Sequence, residues 1–376
     1  MLKIKSIKGY PLRCAEPHYK GVLRCVTLAR VESEDGLVGW GEAISQMAES
    51  AKATATIIDE GFGPLLKGED AREVETLWRK MEDHAWWYGP QGIAAFAISA
   101  VDMALWDLAG KHFGVPVCTL LGGRAMDRVP AMASIIFDLE EIDWTLKEFA
   151  WMKDQGYFQV KAGWGMHPDA VFGQNTTRDV DVIRRIREVI GDDLELVADM
   201  PGHRGIWDRG KAIRELHALE PYRLLWMEEP LPPHDYELHR QVRAAVSTPL
   251  GTGEQEWTVD AYHKLIKYGA VDVIQIDPSR VHGISGCRHV IKLVEAANLK
   301  FSGHTWSSAI NTAAGVHLMA SSKHTAGMDF KPHESPLQHE MVTDPWEQKD
   351  GYLEVRDEPG LGINVREDVV EKYVFD

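Results

Sequence analysis

The sequence predicts an α/β fold built on a parallel eight-stranded barrel, with a further region in front of it. After Gly123, short runs rich in Val, Ile and Leu alternate with helical patterns at a spacing of roughly 25–35 residues, which is typical of repeated strand–helix units. A bare barrel takes about 250 residues, so a chain of 376 residues leaves about 126 for another region. A doubly wound sheet is the competing architecture, but it favours a Gly-rich phosphate loop after its first strand, and the sequence contains none.

The residues before Gly123 predict an antiparallel hairpin or meander followed by three helices. Strand character over Leu23–Glu32 is followed by a turn at 33–36 and by a second strand-like run over Leu37–Glu42. The last of the helices is apolar on all faces, so we expect it to be buried. The predicted helices are Ala51–Leu66, Ala71–Asp83 and Gly92–Phe113.

Eight apolar runs supply the predicted barrel strands, and amphipathic segments between them supply the helices. The stretch from about Asp344 contains the turn signals Asp350-Gly351 and Pro359-Gly360, and we expect it to pack back on the N-terminal region. The predicted strands are Val129–Ile135, Phe158–Ala162, Leu194–Asp199, Leu224–Glu228, Pro249–Glu254, Val271–Asp277, Lys300–His304 and Thr325–Phe330.

Composition and charge restrict the function classes. With 41 Lys+Arg against 57 Asp+Glu the formal net charge is −16, which repels phosphate backbones and predicts no nucleic-acid partner. The most apolar stretch, Gly92–Val101, ends at Asp102, well short of the roughly 20 residues that cross a bilayer, so we expect no membrane association. The absence of a CxxC pair predicts reduced, buried thiols in a cytoplasmic protein rather than a disulfide or zinc framework. The cysteines are Cys14, Cys25, Cys118 and Cys287.

Charged side chains stand at the predicted ends of seven successive barrel strands, where the active sites of parallel barrels lie. Three of them, Asp199, Glu228 and Glu254, belong to neighbouring strands, and converging carboxylates would repel one another without a cation. Their hard oxygen ligands suit Mg²⁺, and the alternative is three ordinary acids in contact with solvent. Zinc is disfavoured because neither HxH nor HExxH occurs. The seven residues are Lys161, Asp199, Glu228, Glu254, Asp277, His304 and Asp329.

Lys161 and the pair Asp277 and His304 are the candidate acid–base groups. A nearby divalent cation and partial burial would lower the pKa of Lys161 toward the range of a general base. Asp277 and His304 end consecutive strands, so the carboxylate can fix the tautomer of the imidazole and raise its basicity. The alternatives are a surface lysine and a structural histidine. A cation between two bases suits removal of the proton α to a carboxylate.

Five longer motifs extend over much of the chain: Gly36–Glu42, Ala100–Asp107 with Leu120–Gly123, Trp226–Pro230, Gly253-Glu254 and Asp277–Gly283. Together they resemble the enolase superfamily, mandelate racemase subgroup. The resemblance implies a modified TIM barrel, (β/α)₇β, with an α+β capping domain formed by the N-terminal third and the C-terminal tail. It implies a cap over residues 1–126, a catalytic barrel over 127–343 and a segment over 344–376 that completes the cap.

The resemblance also implies roles for the strand-end residues. Mg²⁺ is the cofactor expected on the three neighbouring carboxylates. Lys161 matches the second lysine of the family's K-x-K signature, and Asp277 with His304 match its dyad. Three positions depart from the pattern. Gln159 stands at the first lysine, Pro201 stands where an asparagine often follows the first metal ligand by two residues, and Asp329 stands where a glutamate usually binds the substrate's carboxylate. These departures bear on the substrate more than on the chemistry.

Further substrate contacts are expected from both regions. Glu334 is the alternative to the strand-eight carboxylate. In this family the cap supplies specificity, which indicates the loop at His18 and Tyr19 and the aromatic run Trp86–Tyr88. Trp306 follows the predicted seventh strand closely enough to line the pocket. For the two cap segments, the alternative is a solvent-facing loop or core aromatics.

The resemblance implies a Mg²⁺-dependent lyase that dehydrates a sugar acid (an aldonate or aldarate) to a 2-keto-3-deoxy acid. Lys161 or His304 would remove the α-proton to give an enediolate, and His304 would protonate the departing β-hydroxyl. The alternatives are a racemase or epimerase of a 2-hydroxy acid and a sugar-acid lactone cycloisomerase, which use the same bases. A non-catalytic binding protein would be expected to have lost ligands or bases. The expected partners are a small-molecule carboxylate and, by resemblance, further copies of the chain in a homo-oligomer.

Overall fold

The computed structural model describes residues 1–167 and 169–376, and the chain begins with an antiparallel sheet of order β1-β2-β3. Buried and exposed residues alternate along much of β1, as expected for a strand with one face on a core. The turn after β2 closes where the Ser33 amide donates to the Leu37 carbonyl, with Gly36 at a φ of 89° that favours glycine. The strands are β1 (Ile4–Glu16), β2 (Val22–Ser33) and β3 (Val38–Gln46), which confirms the predicted meander.

The longest helix of the N-terminal region, α4, is buried between the sheet and the barrel. It lies so close to β3 that a Cβ on Gly41 would be 2.0 Å from the carbonyl oxygen of Ala100. Its buried Asp102 accepts hydrogen bonds from the amide and hydroxyl of Ser285 in the barrel, at 2.9 and 2.6 Å. The helices are α1 (Ala48–Thr56), α2 (Gly63–Leu66), α3 (Val74–His84), α4 (Ile93–Phe113) and α5 (Val117–Leu120), and a π-helical turn over Ile57–Phe62 interrupts the predicted first helix.

Eight parallel strands of the described chain form a closed barrel, because β11 pairs with β4 as well as with β10. Each predicted apolar run overlaps one of them, so the predicted barrel is confirmed. The structure shifts some strand ends: β8 ends two residues before Glu254, and Asp329 lies inside β11. The strands are β4 (Arg128–Ile136), β5 (Gln159–Gly163), β6 (Glu195–Asp199), β7 (Trp226–Glu228), β8 (Leu250–Thr252), β9 (Val273–Ile276), β10 (Lys300–Gly303) and β11 (Thr325–Phe330).

One helix follows each of the first seven barrel strands in the described residues, which is the predicted (β/α)₇β arrangement. Five of these helices begin at a residue whose side-chain oxygen accepts from a backbone amide of the first turn, the usual N-cap. The caps are Asn175, Asp208, Asp235, Thr258 and Ser308. The helices are α6 (Ile142–Asp154), α7 (Thr176–Ile190), α8 (Arg209–Leu219), α9 (Tyr236–Arg243), α10 (Val259–Lys267), α11 (Gly283–Ala296) and α12 (Ala309–Ala320).

The C-terminal segment contacts both regions. Strand β12 (Tyr352–Glu354) pairs antiparallel with β4 of the barrel. Helix α13 (Glu367–Tyr373) contacts β1, and the Phe375 amide donates to the Pro11 carbonyl at 3.2 Å. The domain bounds at 126 and 343 stay a prediction.

Helix α4 and the cysteines bear on two further expectations. By length and composition alone α4 could cross a bilayer, but 94% of its most apolar window is buried inside the protein, as in a core helix. The apolar stretch is therefore longer than the sequence pattern suggested, because Asp102 lies within it rather than at its end. All four cysteines are free and buried, as predicted.

Candidate active site and metal centre

A cavity of about 250 Å³ opens where the C-terminal ends of the barrel strands face the N-terminal sheet. The sheet contributes Arg24, Ile44 and Gln46, and the remaining lining comes from the barrel. Six of the seven predicted strand-end residues lie in this lining, and the seventh, Glu228, contacts Lys161 from beneath it. The six are Lys161, Asp199, Glu254, Asp277, His304 and Asp329.

Three carboxylates converge at this edge of the barrel. Asp199 ends β6, Glu228 ends β7 and Glu254 follows β8, and one oxygen of each lies within 4.8 Å of the others. Indole N–H groups donate to two of them, from Trp164 to Asp199 at 3.1 Å and from Trp226 to Glu228 at 3.0 Å. Burial and mutual repulsion raise the pKa values of Asp199 and Glu254 well above the usual range.

This donor set fits a hard divalent cation. It offers carboxylate oxygens alone, which are the ligands that Mg²⁺ prefers. One of them, Oε2 of Glu254, is buried and accepts no hydrogen bond in the described part of the chain, and its nearest cationic neighbour is Nε2 of His304 at 3.5 Å. A buried acceptor without a donor is costly, and a cation at this point would satisfy it.

Lys161 lies between these carboxylates and Asp329. Its Nζ is 2.5 Å from Oε1 of Glu228, 2.8 Å from Oδ2 of Asp329 and 3.6 Å from Oδ2 of Asp199. Burial alone would lower the pKa of this lysine, but the surrounding carboxylates raise it well above the usual value. The predicted lowering of the Lys161 pKa depends on a bound cation that offsets those charges, and it stays a prediction.

His304 and Asp277 form the predicted pair. Nδ1 of His304 lies 2.7 Å from Oδ2 of Asp277, and Nε2 lies on the side of Glu254, 3.5 Å from its Oε2. The other oxygen of Asp277 accepts from the amide of Ser279 at 2.8 Å and from the side-chain amide of Asn311 at 3.3 Å. Burial opposes the imidazolium, but the hydrogen bond that Asp277 accepts and the negative charges of Asp277 and Asp329 outweigh it and raise the pKa of His304.

Glu42 of β3 positions the segment that follows His304. It is fully buried and accepts hydrogen bonds from the hydroxyls of Ser307 and Ser308 and from the Asn311 amide, the last at 3.2 Å. Burial raises the pKa of Glu42. The N-terminal sheet therefore determines where the loop beside the candidate base lies.

Two family descriptions match the chain. "Enolase C-terminal domain-like" matches residues 145–369, and "Mandelate racemase / muconate lactonizing enzyme, N-terminal domain" matches residues 20–122. The chain belongs to the enolase superfamily. The resemblance read from the motifs is thereby confirmed, and the chain is an enzyme of the mandelate racemase / muconate lactonizing enzyme type.

Individual members of this superfamily are similar along almost their whole length. L-talarate/galactarate dehydratase from Salmonella typhimurium is 30% identical over 91% of this chain and 81% of its own. The 3,6-anhydro-D-galactonate cycloisomerase from Zobellia galactanivorans is 28% identical, covers 100% of both chains and superposes with a TM-score of 0.89. A mandelate racemase/muconate lactonizing protein from Paracoccus denitrificans, solved with magnesium, is 27% identical, covers 100% of this chain and 99% of its own, and has a TM-score of 0.89.

The predicted substrate contacts of this superfamily member fall in different places. Trp306 and Asp329 line the cavity. Gln159 is buried outside the lining, where its amide donates to Glu195 at 2.7 Å. Glu334 is exposed and also lies outside the lining, so Asp329 is the strand-eight carboxylate that reaches the site.

His18 and Tyr19 lie behind the lining rather than in it. Nε2 of His18 is 3.1 Å from Oε2 of Glu148 on α6, and its ring stacks on His333 at 3.5 Å. Glu148 also contacts Nε2 of His333 at 2.5 Å, and although burial opposes it, these two histidines lower the pKa of Glu148 to about 2. Tyr19 is buried with its ring 5.5 Å from that of Trp306.

Several other lining residues are missing from the sequence prediction. Arg280 follows Asp277 closely, so extending the strand-end argument by one turn would have found it, whereas Arg24 lies inside a predicted strand of the cap. The aromatic run Trp86–Tyr88 is exposed and lies outside the lining. The lining residues absent from the sequence prediction include Arg24, Trp164, His203, Gln255 and Arg280.

Proposed function

We propose that this enzyme is a Mg²⁺-dependent lyase that dehydrates a sugar acid to a 2-keto-3-deoxy acid. The observation that carries the proposal is the presence of two acid–base groups, Lys161 and His304, in one cavity beside a cluster of three carboxylates, two of which line it. The dehydratase and the cycloisomerase named among its relatives support a reaction on an acid sugar. A cytoplasmic location and a homo-oligomer stay predictions.

Asp199, Glu228 and Glu254 would hold the Mg²⁺. When bound, the cation would neutralise the additional negative charge that develops on the substrate's carboxylate as the α-proton leaves. The magnesium in the similar Paracoccus denitrificans structure supports this assignment.

The residues of the chain account for the two proton transfers. Lys161 or His304, in its neutral form, takes the proton from the α-carbon, and the electron pair of that C–H bond forms the enediolate. The β-carbon–oxygen bond then breaks, and the His304 imidazolium donates a proton to the departing hydroxyl, which leaves as water. Asp277 supports this step because its hydrogen bond to Nδ1 stabilises the imidazolium. Tautomerisation of the resulting enol gives the 2-keto-3-deoxy acid.

A screen of acid sugars in D₂O with Mg²⁺ tests the proposal. A dehydratase forms a keto acid and releases one water per turnover. Exchange of the α-hydrogen for deuterium without a keto acid would contradict the proposal and favour a racemase or epimerase.

The cycloisomerase is the second candidate, and the Zobellia galactanivorans structure is the observation that favours it. The same two bases would remove the α-proton and protonate a departing ring oxygen in place of a hydroxyl. Mass spectrometry separates the reactions, because an isomerised lactone or anhydro sugar keeps the mass of the substrate whereas dehydration loses one water.

A further inference from the structure

Arg24 brings a cationic group from the cap into the cavity. It lies near the start of β2, is 7% exposed, and is among the three cap-sheet residues that line the site. Its guanidinium lies over the ring of Trp306, with Cζ 4.5 Å from the ring centroid. The stacking fixes one face of the guanidinium and leaves its edge, where the N–H groups are, for other partners.

No hydrogen bond or ion pair joins the Arg24 guanidinium to another side chain or carbonyl within residues 1–167 and 169–376. The nearby carboxylate of Glu16 is already bound by Lys331 at 2.7 Å. Two cations therefore share one carboxylate here, and Arg24 is the one without a direct partner. None of the Arg24 nitrogens is among the fully buried polar atoms without a partner in the described residues, so its N–H donors remain accessible from the cavity that Arg24 lines. A guanidinium that has accessible donors and no protein partner is suited to bind an anion that enters the cavity.

Arg280, the other arginine in the cavity lining, has a hydrogen-bond partner in the protein, unlike Arg24. It donates to the Gln255 carbonyl at 3.3 Å and stacks on Trp257 at 3.6 Å. The carboxylates of Asp277 and Glu254 also offset its charge. Arg24 has the stacking ring and a nearby carboxylate, Glu16, but it lacks the hydrogen bond to a carbonyl that Arg280 makes.

We propose that Arg24 binds a second carboxylate of the substrate, at the end away from the reacting carbon, and that the substrate is a sugar diacid. This inference rests on the proposed function. The edge of a guanidinium matches both oxygens of a carboxylate in a paired hydrogen bond. A single negative charge balances the single positive charge of Arg24, whereas a phosphate dianion would leave excess negative charge in a cavity already lined by Asp199, Glu254 and Asp329.

Matched pairs of acids test this inference: D-gluconate with D-glucarate, and D-galactonate with galactarate. The members of each pair differ only at the terminal carbon, which is a hydroxymethyl group in the first and a carboxylate in the second. We expect the wild-type kcat/KM to favour the diacids. Arg24→Met should lower the diacid-to-monoacid ratio by about 10- to 100-fold, mainly through KM, because it removes a charge-assisted hydrogen-bonded pair.

Two further variants make the result specific. Arg24→Lys keeps the charge but loses the paired geometry, so it should give an intermediate ratio, and it replaces Arg24→Met if that variant does not fold. Arg30→Met is the matched control, because Arg30 lies on the same strand and pairs with Glu32 and Glu367 outside the cavity. Its ratio should equal that of the wild type.

The outcomes separate this inference from the proposed reaction. If monoacids are dehydrated at least as well as diacids, if 6-phosphogluconate is preferred to D-glucarate, or if Arg24→Met leaves the ratio unchanged, the inference is overturned and the lyase stands. If no acid sugar is turned over, calorimetry measures the binding of D-glucarate and D-gluconate to the wild type and to Arg24→Met. Binding of the diacid that Arg24→Met weakens would support the inference while the proposed reaction fails, and equal binding of both acids would overturn it.

Discussion

The barrel side and the cap side of the cavity are built in different ways. On the barrel side, strand register places the charged groups, as where Asp199 lies directly opposite Glu228 in the β6–β7 pairing. On the cap side, Arg24 reaches the cavity from a sheet that long-range contacts of Glu42 and Asp102 hold against the barrel. The difference teaches that local register places the proposed acid–base groups, whereas packing between regions places the proposed recognition residue Arg24.

The largest effect should come from the barrel side, through the two candidate bases. Lys161→Ala and His304→Asn should each lower kcat by about 10²- to 10⁴-fold, because each removes a group that transfers a proton. Steady-state kinetics on the best substrate measures the loss, and circular dichroism checks the fold. Lys300→Ala, at an exposed position where β10 begins, is the matched control. Wild-type rates in both variants would contradict the proposal that Lys161 and His304 on the barrel side transfer the protons.

The carboxylate cluster should give the next largest effect. Glu254→Gln keeps the shape of the side chain but removes one of three charges from the proposed Mg²⁺ site, so the affinity for Mg²⁺ should fall by about 100-fold. Isothermal calorimetry with Mg²⁺ measures it, and Glu188→Gln on the exposed face of α7 is the control. An unchanged affinity would show that strand register gathers these acids for another purpose.

The same contrast explains what the sequence predicts and what it does not. Each barrel acid follows its own apolar run, so its position at the rim can be worked out from spacing, and the eight strands were found in this way. Arg24 gives no such signal, since its position over the cavity depends on how β2 and Trp306 pack across regions far apart in the chain. The pKa of Lys161 is hard to predict from sequence for a related reason: it depends on carboxylates from four other strands at once.

The contact between Asp102 of the cap and Ser285 of the barrel should affect stability rather than catalysis. Burial raises the pKa of Asp102 on α4 to about 7, above its unfolded value of about 3.9. Its contribution to the free energy of unfolding is therefore fully present below about pH 4 and is lost as the pH rises through about 7. As the pH rises from about 4 to about 7, the free energy of unfolding of the wild type should therefore fall relative to that of Asp102→Asn.

Urea unfolding at several pH values checks this expectation. Asp83→Asn, at an exposed position on α3, should show no such change relative to the wild type. A difference between the wild type and Asp102→Asn that does not vary with pH would mean that Asp102 holds α4 to the barrel without a buried titration.

The smallest effect concerns the loop at the edge of the cap. Glu148 of α6 contacts His18 of that loop and His333 of the barrel, and these contacts lower its pKa to about 2 although burial opposes this. Its stabilising contribution is present above its usual pKa of about 4.3 and is lost as the pH falls toward about 2. Glu148→Gln should therefore lower the free energy of unfolding near neutral pH by about 0.5 kcal/mol and should lose that deficit in acid. His18 lies behind the cavity lining and does not contact the reacting groups. The effect of Glu148→Gln on activity should therefore be small, with KM rising about two-fold and kcat staying close to that of the wild type. A fall in kcat for Glu148→Gln as large as that expected for Lys161→Ala would contradict the difference between the barrel side and the cap side, because a contact outside the cavity would then control the chemistry.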